Sequence, residues 1–532
     1  MKNNILRSFS LLVFVGLMTA SCTKNFEEIN TNPNGVRYVS PDQLLPTTLI
    51  GSLNANMIRN RNFNNELMQV TVSSTDADGA VFRYDYRPNW SDYLWNSLYT
   101  ELTNFKDMYL DSTANNNSSY KGISLIGQAW LYSILTDTYG DIPFTESNRA
   151  KAAYGGIVEP KFDSQKDIYQ GMFEMLEEAN TLLTANAPIN ANRDPVYKGD
   201  ISGWRKFSNS LYLRLLLRVS GKAEVSAQAI SKIKEILETN KAKYPVFENN
   251  SESARVLWTG VAPYVSPFFS IRVQDFRSPG IASFFIDYLL GWTDPRIVSS
   301  APYGTAGIGR LGIAQASGGG FFGVQSGYAP GQGEARGSYF QSSDNASTGR
   351  YSLQVNELTG IMMQFAEVEF IRAEAIVRGW INGDAETSYY KGMASAINYW
   401  VPNFPESVTS TQFAEHLENL GKGSAGLWNN DLPLESVRSR EIGEIIGKLE
   451  LIHLQKYYAL FMTDMQQWFE YRRTGYPHLY QEQLTGLRNG SVMPARMVYP
   501  IYVQSTNPTN YKAAVAAQGP DQINTQVWWQ KP

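Results

Sequence analysis

Trp468-Phe469-Glu470-Tyr471-Arg472-Arg473-Thr474-Gly475-Tyr476-Pro477 closes a stretch, Glu441 to Arg473, that reads as one long helix. Arg472 and Arg473 fall in its last turn, where cations oppose the negative end of the helix dipole. Gly475 stands at the C-cap, and Pro477 cannot continue the helix. At least one ring of Trp468, Phe469 and Tyr471 should be buried where this helix packs. Just upstream, Phe365, Val368, Ile371 and Ala375 recur at spacings of three and four ahead of Gly379, and Asp384 to Trp400 reads as the returning helix. Glu374 and Arg378 form an i,i+4 pair worth ~0.2–0.5 kcal/mol. The same period runs through Gly122 to Tyr139, on Ile123, Ile126, Trp130 and Ile134, and stops at Gly140. Ser164 to Leu183 opens on the weak capping box Ser164-x-x-Asp167. Trp204, Phe207, Leu211 and Leu215 follow a Ser202 cap and end at Gly221, and Ala223 to Thr239 gives one more helix. Consecutive helical hairpins are expected, and the fold class is mostly α.

Two regions depart from that period. Residues 245–355 are rich in Gly and Pro, with rings scattered among small residues, and read as a loop-rich insertion. The tail 480–532 reads as irregular and finishes in Trp528-Trp529. At the other end, Lys2 and Arg7 precede the apolar run Leu11-Leu12-Val13-Phe14-Val15-Gly16-Leu17-Met18, and Thr19-Ala20-Ser21 lead to Cys22. This is the layout of a secretory signal over 1–21, too short for a ~20-residue membrane span. A cysteine directly after the small residues resembles a bacterial lipobox, so Cys22 is the expected acylated first residue. Residues 22–41, with Asn30-Thr31-Asn32-Pro33-Asn34-Gly35, read as a tether. Loss of Lys2 and Arg7 removes two positive charges and takes the formal charge from -4 to -6.

Composition narrows the function. The chain has 532 residues, 43% of them hydrophobic, which is ample for a core and excludes disorder of the bulk. Lys+Arg 46 against Asp+Glu 50 leaves no electrostatic footprint for nucleic acid. Charged residues are 18% and aromatics 13%, which suits neutral, ring-stacking or peptide-like ligands as well as an aromatic core. One cysteine excludes an intramolecular disulfide and a thiolate zinc cage. His416, His453 and His478 lie far apart, and no HExxH or GxxxxGK[ST] occurs, which weighs against metallohydrolases and nucleotide hydrolases.

Carboxylates could still serve a glycosidase, which needs two of them flanking the scissile bond. Glu367 and Glu374, and likewise Glu441 and Glu444, have basic neighbours that suit ion pairing better than a raised-pKa acid. Asp76-x-Asp78-Gly79 has the flavour of a calcium loop but lacks the remaining ligands. Ser317-Gly318-Gly319-Gly320 has no lysine after it, which weighs against phosphate. No catalytic residue, metal or cofactor is expected.

The segment Phe365-Ala366-Glu367-Val368-Glu369-Phe370-Ile371-Arg372-Ala373-Glu374, with Arg378-Gly379-Trp380 and Tyr389-Tyr390-Lys391-Gly392, resembles the SusD/RagB family of outer-membrane nutrient-binding lipoproteins. So do Gln455-Lys456, the Trp468–Pro477 string, Pro494-Ala495-Arg496 with Tyr499-Pro500, and Gly519-Pro520-Asp521. Upstream, Tyr139-Gly140-Asp141-Ile142-Pro143-Phe144 and Lys161-Phe162-Asp163-Ser164-Gln165 match its early hairpins. The resemblance runs from Cys22 to Trp529. It implies a tetratricopeptide-like helical-pair scaffold over about 42–244 and 356–479 of a single domain 42–532. It implies no catalysis, outer-membrane attachment through a lipid anchor, and a role as lid on a SusC-like TonB-dependent barrel.

The ligand would be an oligosaccharide or an oligopeptide. Its contacts are expected where rings and glycines interrupt the helical period, since loops on a rigid scaffold carry recognition. Trp90, Trp258 and Trp292 are the largest such rings, and Asp76, Asp78, Arg277 and Arg310 are the polar candidates. A surface-anchored glycoside hydrolase on a helical scaffold is the alternative, to be favoured by paired carboxylates inside an aromatic cleft.

Overall fold

Asn117, Ser164, Asp200 and Asp384 each turn a side-chain oxygen onto the first backbone N–H groups of a helix, and these caps set the frame of the molecule. The computed structural model describes residues 39–74, 79–151, 154–297, 309–333, 335–344, 351–423, 426–435, 447–480 and 485–531. Pro41–Pro532 form one compact unit. In chain order the helices are α1 (Pro41–Arg59), α2 (Trp90–Ala114), α3 (Ser118–Tyr139), α4 (Gln165–Leu183), α5 (Ile201–Val219), α6 (Ala223–Lys234), α7 (Val273–Arg277) and α8 (Ser283–Gly291). They continue with α9 (Phe365–Val377), α10 (Ala385–Trp400), α11 (Thr411–Gly423), α12 (Lys448–Ala459), α13 (Gln466–Thr474), α14 (Val503–Thr506) and α15 (Pro508–Gln518). The fold is mostly helical, as its periodicity predicts.

The scaffold is a succession of neighbouring helices. α1 packs on α2, α2 on α3 and α3 on α4, while α9 pairs with α10 and both rest on α12. α5 joins the two groups, touching α4, α6 and α9. Ile123, Ile126, Trp130 and Ile134 of α3 are all fully buried, as are Val368, Ile371 and Ala375 of α9. Trp468 and Phe469 are buried as well.

Four expectations need correction. Asp200, not Ser202, caps α5: its carboxylate accepts from the Ser202 N–H, so the helix begins earlier than the serine suggested. The stretch ending at Arg473 is two helices, α12 and α13, parted by a turn in which Met462 and Asp464 take positive φ. Buried Asn60 and Asn64 stabilise that break: Asn60 Nδ2 donates to Asp464 O at 2.6 Å, and the Trp468 N–H donates to Asn64 Oδ1. Glu441 and Glu444 lie outside the described residues. The tail is not uniformly irregular, for it contains α14 and α15, and Tyr499 Oη donates to Asp141 O at 2.6 Å to fasten it under α3. Finally, Arg472 and Arg473 do more than oppose a helix dipole. Arg472 stacks 4.0 Å over Trp468 and donates to Ala495 O and Asp137 O, whereas Arg473 enters a buried charge cluster. Gly475 caps α13 as expected, at φ 75 with its N–H donating to Tyr471 O, so the string combines a cap with packing.

The insertion contributes a four-stranded antiparallel sheet in the order β1-β3-β5-β4, from β1 (Thr71–Val72), β3 (Gly280–Ile281), β4 (Ile313–Ala314) and β5 (Tyr339–Phe340). β2 (Ala254–Val256) pairs antiparallel with β6 (Gly360–Met363). The register Thr71↔Ile281, Val72↔Gly280 ties the segment after α1 to the insertion. That pairing, with the Phe82–Tyr328 ring contact at 5.0 Å, sets the stretch between α1 and α2 beside the insertion.

Gly140 shows how the Tyr139–Phe144 motif works. It ends α3 at φ 86 and ψ -123, and an added Cβ would fall 1.6 Å from Gln518 Oε1, which accepts the Asp141 N–H at 2.7 Å. Gly140→Ala is therefore expected to destabilise the protein by about 2–4 kcal/mol in denaturant unfolding, from backbone strain plus a displaced buried amide. A loss below about 0.5 kcal/mol would show that the tail relaxes freely.

Candidate functional site

After α1 the chain widens into a π-helical segment, Asn60–Asn64, in which the Asn65 N–H reaches Asn60 O. The i→i+5 hydrogen bond shifts the helical register by one residue, a device frequent at functional sites. Arg61 and Glu66, five apart, both open onto a cleft of about 380 Å³. Its walls are the 61–66 turn, Ser73, the segment Gly79 to Val81, Trp90 at the head of α2, and Asp275, Ser278 and Pro279 from α7 and the strand it leads to. Ser74 Oγ lies 2.5 Å from Ser278 Oγ, just beyond the β1–β3 pairing.

Each wall is held from behind. Arg61 Nη2 donates to Asp275 O at 2.9 Å, and its guanidinium lies 5.2 Å over the Phe276 ring. Arg59 sits 4.9 Å from the Trp90 ring and 4.8 Å from that of Tyr93, holding the half-buried Trp90 in place by cation–π attraction. Asp275 is taken by Arg272, Nε to Oδ2 at 2.7 Å. Burial pushes the Glu66 carboxyl up to about 8, against the opposing Phe82 N–H and the Arg61 charge. Burial likewise pulls Arg61 down. The cleft is thus lined by the Trp90 indole, the Ser73 and Ser278 hydroxyls, the Asn62 amide, the Arg61 guanidinium and the carboxyls of Glu66 and Asp275, the last already paired with Arg272. This set suits hydrogen bonding and stacking with an uncharged ligand.

The residues singled out from sequence separate. Trp90 lines the cleft. Trp258 and Trp292 are 3% and 1% exposed, so neither offers a ring face to a ligand. Trp292 packs at 5.2 Å against Tyr458 and 5.5 Å against Tyr288, and Trp258 lies against Gly360 of β6. They are the insertion's core, because so apolar a surface is removed from water wherever helices are near enough to cover it. Arg277 stands between the cleft residues Asp275 and Ser278, with its guanidinium 3.5 Å from Asp344. Arg310 stacks 4.2 Å over Tyr351, away from the cleft. Asp76 and Asp78 lie outside the described residues, as does Cys22. Sequence reasoning missed Arg61, Glu66, Ser73 and Ser278. The polar run Asn60-Arg61-Asn62 within an apolar helix was the one signal for them.

Of the carboxylates weighed for hydrolysis, Glu367 and Glu374 are buried away from this cleft. Arg214 grips Glu367 with Nε–Oε1 2.8 Å and Nη2–Oε2 2.6 Å, both side chains 2% exposed. Glu374, His453 and Glu470 offer ligand atoms within 4.8 Å of one another, the geometry of a metal site. The donor set does not suit a metal ion. Arg473 lies 2.7 Å from Glu374 and 2.9 Å from Glu470, and Lys456 is 2.8 Å from Glu470, so the charge a cation would neutralise is already neutralised. Against the desolvation of burial, Arg473 holds both carboxyls well below the usual range. Burial pulls the His453 imidazole down to about 3, leaving it neutral.

A larger hollow of about 580 Å³ lies between the 236–248 segment, α9 and α10. It carries charges of both signs, and Arg372 is tied to Glu369 at 3.1 Å. It lacks a tryptophan and is remote from the two regions that the β1–β3 pairing joins.

A family model described as SusD-like, starch-binding associating with outer membrane, matches residues 33–500. Among curated proteins none matches. Solved structures do. A chitin-binding protein is 24% identical with a TM-score of 0.68, aligning over 92% of this chain and 100% of its own. A Bacteroides vulgatus outer membrane protein, described in terms of nutrient binding, is 22% identical with a TM-score of 0.72 over 93% and 100%. A chitin-binding SusD homologue of Flavobacterium johnsoniae is 20% identical with a TM-score of 0.70 over 92% and 98%. At these identities the likeness establishes the fold.

Proposed function

This chain belongs to the SusD-like family of non-catalytic, outer-membrane nutrient-binding proteins, and from that premise we propose that it captures an oligosaccharide at the cell surface, in the cleft between Arg61 and Ser278. The observation that carries the reading is the convergence of Trp90, Ser73, Ser278, Glu66 and Arg61 on one cleft, at the only pairing that links the 71–72 segment to the insertion among the described residues. A ring face stacks on a sugar, and the surrounding hydroxyls, carboxyl and guanidinium meet its oxygens. Two relatives of the same fold bind chitin, which makes chito-oligosaccharides the first ligand to try. Calorimetric titration with chitohexaose, and with maltohexaose as a second glycan, tests the reading. Saturable binding of either is expected, and binding of peptides alone would overturn it.

The bound chain is handed to a SusC-like TonB-dependent barrel on which the protein sits as a lid. Among the described residues no helix is long and apolar enough to cross a membrane. Acylation of Cys22 supplies the anchor: each buried CH₂ adds about 0.8 kcal/mol, and several chains on one cysteine hold firmly. Cys22→Ala is expected to release the protein from the membrane fraction or to block its processing. Unaltered retention in carbonate-washed membranes that lack the barrel would refute the anchor.

A further inference from the structure

Glu66 is the carboxyl of the cleft that has no cation to itself. Among the described residues no ammonium or guanidinium pairs with it. The charged groups on the elements packed against it are engaged elsewhere. The π-helical segment presents Arg61, whose Nη2 is engaged with the carbonyls of Asp275 and Phe276. The turn Val81–Arg83 presents Arg83, whose Nε donates to Tyr328 O at 2.8 Å and whose guanidinium lies 4.8 Å from the Phe82 ring. β1 presents Thr71 and Val72, which carry no charge. Asp85 accepts the Gly79 N–H, and Asp275 across the cleft belongs to Arg272. The remaining wall beside it is Ala80, Val81 and Pro279.

Glu66 is half-buried in the cleft wall, and with no cation bonded to it a carboxylate there is less well compensated than one in water. A neutral carboxyl is not costly, but it carries one O–H that must find an acceptor. The Phe82 N–H is a donor and cannot be that acceptor. We propose that Glu66 is the specificity-determining residue of the cleft, donating a hydrogen bond to a ligand oxygen, either the acetamido carbonyl or a hydroxyl of an uncharged sugar. The proposal rests on the cleft being the ligand site. A ligand without an acceptor at that position leaves the O–H unpaired and is rejected, which is the strong form of discrimination for a buried polar group. With the carboxyl pushed up to about 8 by burial, it is protonated at neutral pH. Ligand binding, by engaging the protonated form, weakens as pH rises past that point.

The test compares the full chain with Glu66→Gln, which keeps a neutral donor of the same shape, and Glu66→Ala, which removes it. Chitohexaose is titrated calorimetrically at about pH 6 and about pH 9.5, on either side of the carboxyl's ionisation. The wild type is expected to lose roughly tenfold in affinity between the two. E66Q should bind like wild type at the lower pH and hold that affinity at the higher one, while E66A should be weak at both. Equal pH dependence in wild type and E66Q, or wild-type affinity in E66A, overturns the proposal. Should no glycan bind at any pH, the functional reading fails. The carboxyl ¹³C titration of Glu66 in the free protein checks separately the protonation on which the donor depends: a midpoint below about 7 overturns the proposal even where a glycan binds, and one above it supports the proposal.

Discussion

Arg473→Met is expected to lower the unfolding free energy by about 3 kcal/mol, because it removes the one guanidinium shared by two buried carboxylates and leaves Glu374 with Arg378 alone. Glu374 is 0% exposed and holds Arg473 through Oε1 at 2.9 Å and Oε2 at 2.7 Å, and the same guanidinium reaches Glu470 at 2.9 Å. Arg218 at 3.0 Å and Lys456 at 2.8 Å complete the shell of Glu470. Breaking one member of such a cluster costs far more than the cluster as a whole contributes over a well-packed apolar substitute. The double variant Glu374→Met/Arg473→Met should therefore recover part of the loss. Chemical denaturation of the three proteins checks this, and an Arg473→Met loss under about 1 kcal/mol would mean the carboxylates find water instead.

The same cluster sets an acid limit. Glu374 and Glu470 are held below their ordinary range, so the unfolded chain takes up protons that the folded one refuses. Their stabilisation is complete above the ordinary carboxylate range and falls as pH drops through it. His453 acts in the same direction and starts earlier: at about 3 in the fold against 6.5 in the free side chain, it costs stability as pH falls from 6.5 toward 3. His453→Gln should therefore lose less melting temperature than the wild type on acidification from about pH 6.5 to about pH 4, and an equal loss in the two would refute the assignment.

Trp292→Ala and Trp90→Ala are expected to separate packing from recognition. Trp292 is 1% exposed between Tyr288 and Tyr458, so its removal should cost about 3–5 kcal/mol of stability while chitohexaose affinity stays unchanged. Trp258, buried against β6, should behave likewise. Trp90 is half-buried on the cleft, so its truncation should weaken binding about two- to tenfold with at most about 1–2 kcal/mol lost from its contacts with Arg59 and Phe63. Calorimetry and thermal melting of the three variants give both numbers. Lost affinity in Trp292→Ala at unchanged melting temperature would reverse the assignment.

Most of the scaffold was legible because its evidence is local. The three-and-four spacing of Ile123, Ile126, Trp130 and Ile134 buries one face wherever the helix lands, and Ser164 caps α4 through atoms three residues away. The break between α12 and α13 was not legible, since Asn60 and Asn64, some four hundred residues upstream, hold it. Nor was the burial of Trp258 and Trp292, which glycine-rich surroundings disguised as loop rings.

The site divides along the same line. Residue order alone determined a helical, SusD-like scaffold, since caps, spacings and the Trp468–Pro477 string act over one or two turns. Only the tertiary structure decided which residues form the cleft. Arg61, Glu66 and Trp90 meet Asp275 and Ser278 because Thr71 pairs with Ile281 across some two hundred residues. Such a pairing leaves no periodic trace in either strand, for each is two residues long and fully buried. It is selected by the core that both strands cover, and that core exists only once the helices have packed.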